Sequence, residues 1–151
     1  MKEHLSEFGC SELKNLGASN ENLIDVYIKQ VRSVLELAVP VWQSSLTVAD
    51  RVGIERVQRA ALQVILGRDY QDYKSALYTC NLATLEDRRK KLCNKFATKS
   101  LKHPKHRSWF KVNTKVTVTR QKQPKFCPVL SRTTRFANSP ISYLTRILNS
   151  K

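Results

Sequence analysis

Cys80, Cys93, His103 and His106 follow one another with the spacing C-x12-C-x9-H-x2-H. Two thiols and two imidazoles are a common ligand set for a tetrahedral zinc ion. A structural zinc site ordinarily takes two ligands from one tight turn, because a close pair lowers the cost of closing the loop. No two cysteines of this chain lie that close, and Cys93 falls on an apolar stripe, where a free thiol behaves as a small hydrophobe. A thiol and an imidazole can also make a nucleophile and its base. The three histidines, His4, His103 and His106, nevertheless sit in charge-rich segments and not beside an acid that would orient a ring. Four glycines in the whole chain leave no Gly-rich phosphate loop. Glu86 and Asp87 are adjacent, but helix capping accounts for them better than a two-metal site does. The residues therefore present no catalytic centre, no metal ligand set and no cofactor site.

What remains is electrostatic. The chain has 151 residues and a formal charge of +15, unevenly spread. Residues 1–47 hold four Lys/Arg against six Asp/Glu, residues 48–103 hold twelve against six, and residues 104–151 hold eleven against none. A long acid-free segment cannot neutralise itself and draws polyanions, of which nucleic acid is the commonest; a solvated, disordered tail is the bland alternative. Arg88, Lys91, Lys95, Lys99 and Lys102 recur every three or four residues, so a helix would gather them on one ridge. With Arg89, and with Lys105, Arg107 and Lys111 beyond them, they are the residues expected to contact phosphate. Trp109, Phe110 and Phe126 lie among cations, where aromatics either stack on unpaired bases or anchor the segment to a core.

The elements that carry these residues are helical. Residues 1–16 are weakly helical, and Gly17 suits a helix C-terminus. A helix starts at Ser19 or Asn20, with Leu23, Ile24, Tyr27, Ile28, Val31, Val34, Leu35 and Ala38 as its stripe, and stops or kinks at Pro40. Val39, Val41 and Trp42 surround that break and predict a buried corner. Thr47 and Asp50 make a capping arrangement for a second helix, with Ile54, Val57, Ala61, Val64 and Ile65 inward, Arg51, Arg56, Arg59 and Gln63 outward, and Gly67 at its close. Gly53 inside it points to close packing by a neighbour. A shorter helix covers 72–81. Thr84 and Asp87 cap a fourth, reaching Leu101, with Leu85, Leu92, Cys93, Phe96 and Ala97 buried. Beyond Pro104 the pattern is irregular, with a brief alternation over Val112, Thr114, Val116 and Val118, until Ser139-Pro140 opens a helix near 140–149.

The expected fold is mostly α: a small bundle of about four helices over residues 1–103, and a basic, largely irregular tail over 104–151 with a short terminal helix. Pro40, Trp42, Val57, Ile65, Leu92 and Phe96 are the expected structural core. The first two helices should keep a partly exposed apolar face. Four unpaired cysteines, no secretory h-region and no long apolar run predict an intracellular protein, nuclear or cytoplasmic, that does not enter a membrane.

RSVLELAVPVWQSSLT (32–47), IERVQRAALQVILG (54–67), LATLEDRRKKLCNKFA (82–97) and SPISYLTRILN (139–149) together resemble the C-terminal region of reverse transcriptases from non-LTR retrotransposons, the jockey-like long interspersed elements in particular. The motifs stand in the family's order from about Leu13 to Leu148, with a departure at Leu37, where an aromatic is more usual. The resemblance implies a thumb-side and post-polymerase piece of an RNA-directed DNA polymerase. It also implies that Pro40 and Trp42 turn and pin the thumb's long helix. The palm's Asp-Asp dyad has no counterpart, and fingers and endonuclease are missing, so the expectation is a fragment that does not polymerise by itself. It would bind RNA or an RNA–DNA hybrid weakly and without sequence preference, with the missing palm and fingers as a further partner. A free-standing basic RNA-binding protein and a helical protein-interaction module are the alternatives.

Overall fold

The computed structural model of the protein describes residues 10–114 and 124–150. The expectation of a mostly α chain holds, and no strand longer than an isolated bridge occurs among the described residues. Among them, no helix is long and apolar enough to cross a membrane. The chain forms two compact units: Met1–Leu37 with Thr47–Arg88, and Ala38–Leu46 with Arg89–Lys151. The division thus falls elsewhere than the expected boundary at 103/104, because the corner after residue 37 and most of the basic helix pack with the C-terminal segment.

In the first unit, α1 (Cys10–Asn15) ends at Gly17, whose φ of 84° is the left-handed conformation expected of a helix terminator. Ser19 caps α2 (Asn20–Val26), its side chain accepting from the Asn22 amide. The helix then widens into a π-helical segment, Tyr27–Arg32, and returns to α geometry in α3 (Ser33–Glu36). A π turn takes up more residues than an α turn. The apolar stripe consequently steps by four, through buried Tyr27 and Val31 to Leu35 packed against them. Val34, placed inward by α spacing, is 63% exposed.

The break precedes Pro40. The helical run ends at Glu36, four residues earlier, whose carbonyl the proline ring would strike in a continuing helix. Leu37 is extended and Ala38 left-handed, with φ of 51°. Pro40 lies in the first turn of α4 (Val39–Trp42), where a missing amide costs nothing. The corner is only partly buried: Val39 is fully covered and Trp42 packs on the second core, while Leu37, Ala38 and Val41 are exposed.

Thr47 and Asp50 form the expected reciprocal cap on α5 (Val48–Leu66), the Thr47 amide donating to Asp50 Oδ2 at 3.0 Å. At the other end Lys14 Nζ donates to the carbonyls of Val64 and Ile65, placing a cation at the helix's negative pole before Gly67 turns the chain. Ala61 and Ile65, with Val57 beside them, pack on Leu23, Tyr27 and Val31. Leu62 and Leu66 pack on Ala76, Leu77 and Cys80 of α6 (Tyr73–Thr79) and its exit, and Asp72 caps that helix. Gln58, buried on the same side of α5, donates to the Ala83 carbonyl at 3.0 Å. The close neighbour expected at Gly53 is not there: a Cβ would meet nothing within 4 Å. Exposed Val34, Leu37, Val48 and Val52 leave this unit with apolar surface uncovered.

The second unit is built on α7 (Leu85–Lys102), apart from its first turn, with α4, α8 (Pro104–Arg107), α9 (Thr134–Ala137) and α10 (Pro140–Asn149). Its core joins Val39, Cys93, Ala97, Phe110, Phe126, Leu144 and Leu148, with Trp42, Leu92 and Phe96 packed against it. Phe110, Phe126, Leu144 and Leu148, all beyond Pro104, thus belong to the core. Val112 and Phe126 form one antiparallel bridge, and Asn149 completes it by accepting from the Phe126 amide (2.9 Å) and donating to its carbonyl (3.0 Å). Val116 and Val118, expected to extend that strand, lie outside the described residues.

Two backbone substitutions should stabilise the protein. Gly53→Ala should raise stability by about 1 kcal/mol, since the helix gains propensity and nothing is displaced. Ala38→Gly relieves a left-handed Cβ, about 1–2 kcal/mol, against about 0.4–1 kcal/mol of added unfolded-chain entropy. A net gain of roughly 0.5–1 kcal/mol is expected. Urea midpoints of each variant against the parent check both.

Candidate nucleic-acid interface

Thr84 opens α7, its hydroxyl accepting from the Asp87 amide at 3.1 Å. Along the helix Leu85, Arg89, Cys93, Ala97 and Ser100 are buried, in steps of four, four, four and three residues. The stripe passes through an arginine. Arg89 is 1% exposed, and its Nε donates to Oε1 of buried Gln43 at 3.1 Å. A guanidinium so enclosed cannot reach a phosphate, so Arg89 leaves the set of expected contact residues. Its position was legible: it lies four residues from both Leu85 and Cys93 on the buried side. Gln43, by contrast, carries no local sign of burial.

Arg88 is also withdrawn, in the first unit. Its guanidinium grips the Glu36 carboxylate with two nitrogens, Nη2 to Oε2 at 2.8 Å, and Arg32 approaches the same carboxylate at 3.6 Å. This bond pushes the Arg88 guanidinium above its ordinary value and keeps it charged. Its charge is thus already answered by a carboxylate.

The rest of the expected set stands in solvent. Lys91, Lys95, Lys99 and Lys102 are exposed on α7. Asn94, Lys95, Thr98, Lys99 and Lys102 line a shallow cleft of about 400 Å³, so the ridge from Lys95 onward surrounds a concavity. Lys105, Arg107 and Lys111 are exposed in the following segment. The aromatics divide: Phe110 and Phe126 meet edge to face in the core, whereas Trp109 is 40% exposed at the surface.

Among the described residues no three His, Cys, Asp or Glu side chains gather as a metal site. Burial pushes the Cys80 thiol up, and it pushes Cys93 up to about 11 against a smaller opposing effect of Arg89. Both thiols stay protonated near neutral pH, the wrong state for a nucleophile or a metal ligand. His103 and His106 lie ring against ring, with centroids 4.5 Å apart.

Compared with protein-family models, with curated proteins and with solved structures, the chain matches none.

Thiol labelling checks the burial of α7. At pH 8 a disulfide reagent should modify half-buried Cys127 readily and fully buried Cys93 much more slowly. The Cys93 rate should rise with pH toward 11, where its thiolate forms, and should jump on unfolding in urea.

Proposed function

We propose that the chain is the thumb-side and post-polymerase region of a non-LTR retrotransposon reverse transcriptase, and that its second unit holds RNA or an RNA–DNA hybrid by its phosphates. The observation that carries this is the partition of charge between the units. The first unit contains ten Lys/Arg and all twelve Asp/Glu of the chain. The second contains seventeen Lys/Arg and no Asp or Glu. Twelve of those seventeen are exposed among the described residues.

A folded unit with no Asp or Glu concentrates positive potential and repels itself. A polyanion relieves that repulsion, and every phosphate neutralised releases condensed counterions. Lysines dominate the exposed face of α7. A flexible ammonium acts as a point charge and lacks the planar fork that reads a guanine edge. Such a surface suits backbone contact without sequence preference. The motif resemblance supplies the polymerase context, and the Glu36–Arg88 pair adds to it, because it ties a residue of the VLEL stretch to one of the LEDRRK stretch. Polymerisation would belong to a palm carrying the Asp-Asp dyad absent from this sequence, with the palm and fingers as protein partners. The role proposed for this chain is grip.

Anisotropy titrations of a labelled RNA–DNA hybrid across potassium chloride test it. Four lysines on phosphates should contribute about −3 to −4 to the slope of log K against log salt, taking roughly −0.9 per phosphate. Replacing Lys95, Lys99 and Lys102 together by Ala should make the slope shallower by about 2 to 3, equally for unrelated sequences. Binding by the parent chain that ignores salt would remove the proposal.

A further inference from the structure

Three rings follow one another at three-residue intervals through α8 and its ends. The His106 ring lies 4.5 Å from that of His103 at a tilt of 31°, and 4.4 Å from the Trp109 ring at 22°. The ladder therefore ends on an indole that is 40% exposed. Its neighbour Phe110 went into the core, so the segment's apolar anchor is already supplied without Trp109. Lys102, Lys105, Arg107 and Lys111 surround the ladder in the chain, all exposed, in the unit that has no Asp or Glu.

Cations alone fit any polyanion. A ring stack ending on a part-exposed indole adds a requirement, namely a polyanion that also offers flat π-faces. Unpaired nucleic-acid bases offer them, and a closed duplex hides all but its terminal ones. Stacking tolerates any sequence, because every base has such a face. We infer that Trp109, backed by His106 and His103, is a stacking platform for an unpaired base of a single-stranded polynucleotide whose phosphates lie on the surrounding lysines and arginine. This inference rests on the proposed phosphate-binding role of the second unit and adds a preference to it.

The test uses the full chain and three probes of equal length: an oligouridylate, the corresponding abasic strand, and a duplex. Loss of a stacked base weakens single-strand binding by about five- to 150-fold, and a partly covered indole belongs at the lower end. The parent chain should bind the oligouridylate about fivefold or more tightly than the abasic strand. Trp109→Ala should abolish that difference, while Trp109→Phe should keep part of it. Equal affinity of the parent chain for intact and abasic strands overturns the platform, and this comparison needs no variant to fold. Salt-dependent binding that persists without a base preference defeats the platform alone. Absence of salt-dependent binding to every probe defeats the phosphate-binding role with it.

Discussion

Glu36 occupies an awkward place. It is the last residue of a helical run, where the backbone dipole already presents negative charge. Pro40 forces the run to end there, so the carboxylate cannot be moved inward along a longer helix. Two guanidiniums offset the problem: Arg32 from one turn back, and Arg88 from the start of α7, bidentate. The Glu36 side chain is only 14% exposed, so the group depends on these partners more than a surface ion pair would. Through this carboxylate the end of the first long helix and the beginning of the basic helix hold each other.

The other unit solves a different problem, that of folding without an Asp or Glu side chain. The one deeply buried cation among its described residues, Arg89, is met by the neutral oxygen of Gln43, and the exposed ones stand in water, where solvent and salt screen them. Cohesion comes from apolar burial. Phe110 and Phe126, drawn from a segment poor in regular structure, complete the core begun by Cys93, Ala97, Leu144 and Leu148. Asn149 serves the Phe126 backbone as a neighbouring strand would, satisfying both its amide and its carbonyl. A segment that reads as a polar tail is in this way tied down at two of its aromatics.

Adjacent residues with the same chemistry take opposite roles throughout. Arg88 binds a carboxylate, Arg89 is enclosed, and Lys91 stands in solvent. Trp109 is at the surface and Phe110 in the core. In a helix a step of one residue turns a side chain through more than a quarter of a circle, so the neighbour's fate carries little information. The π-helical segment adds a second source of error: it shifts the apolar phase after Tyr27 and puts Val34 outside where regular spacing puts it inside.

Read alone, the sequence was sufficient for most of the helix ends, which are decided within a few residues along the chain. Thr47 with Asp50, Asp72, Thr84 and Ser139 as helix starts, Gly17 and Gly67 as ends, and the stop of the long helix ahead of Pro40 follow from local hydrogen bonding and sterics. The excess of cations toward the C-terminus was equally plain, because charge is a property of composition. Only the tertiary structure decided which cations remain available. Arg88 finds Glu36 across 52 residues of chain, and Arg89 finds Gln43 across 46. It also decided that the cations of residues 89–102 join the C-terminal segment, which has no Asp or Glu, in one unit. Such pairings are set by which surfaces meet once the apolar faces are buried, and no short stretch of residues encodes that meeting.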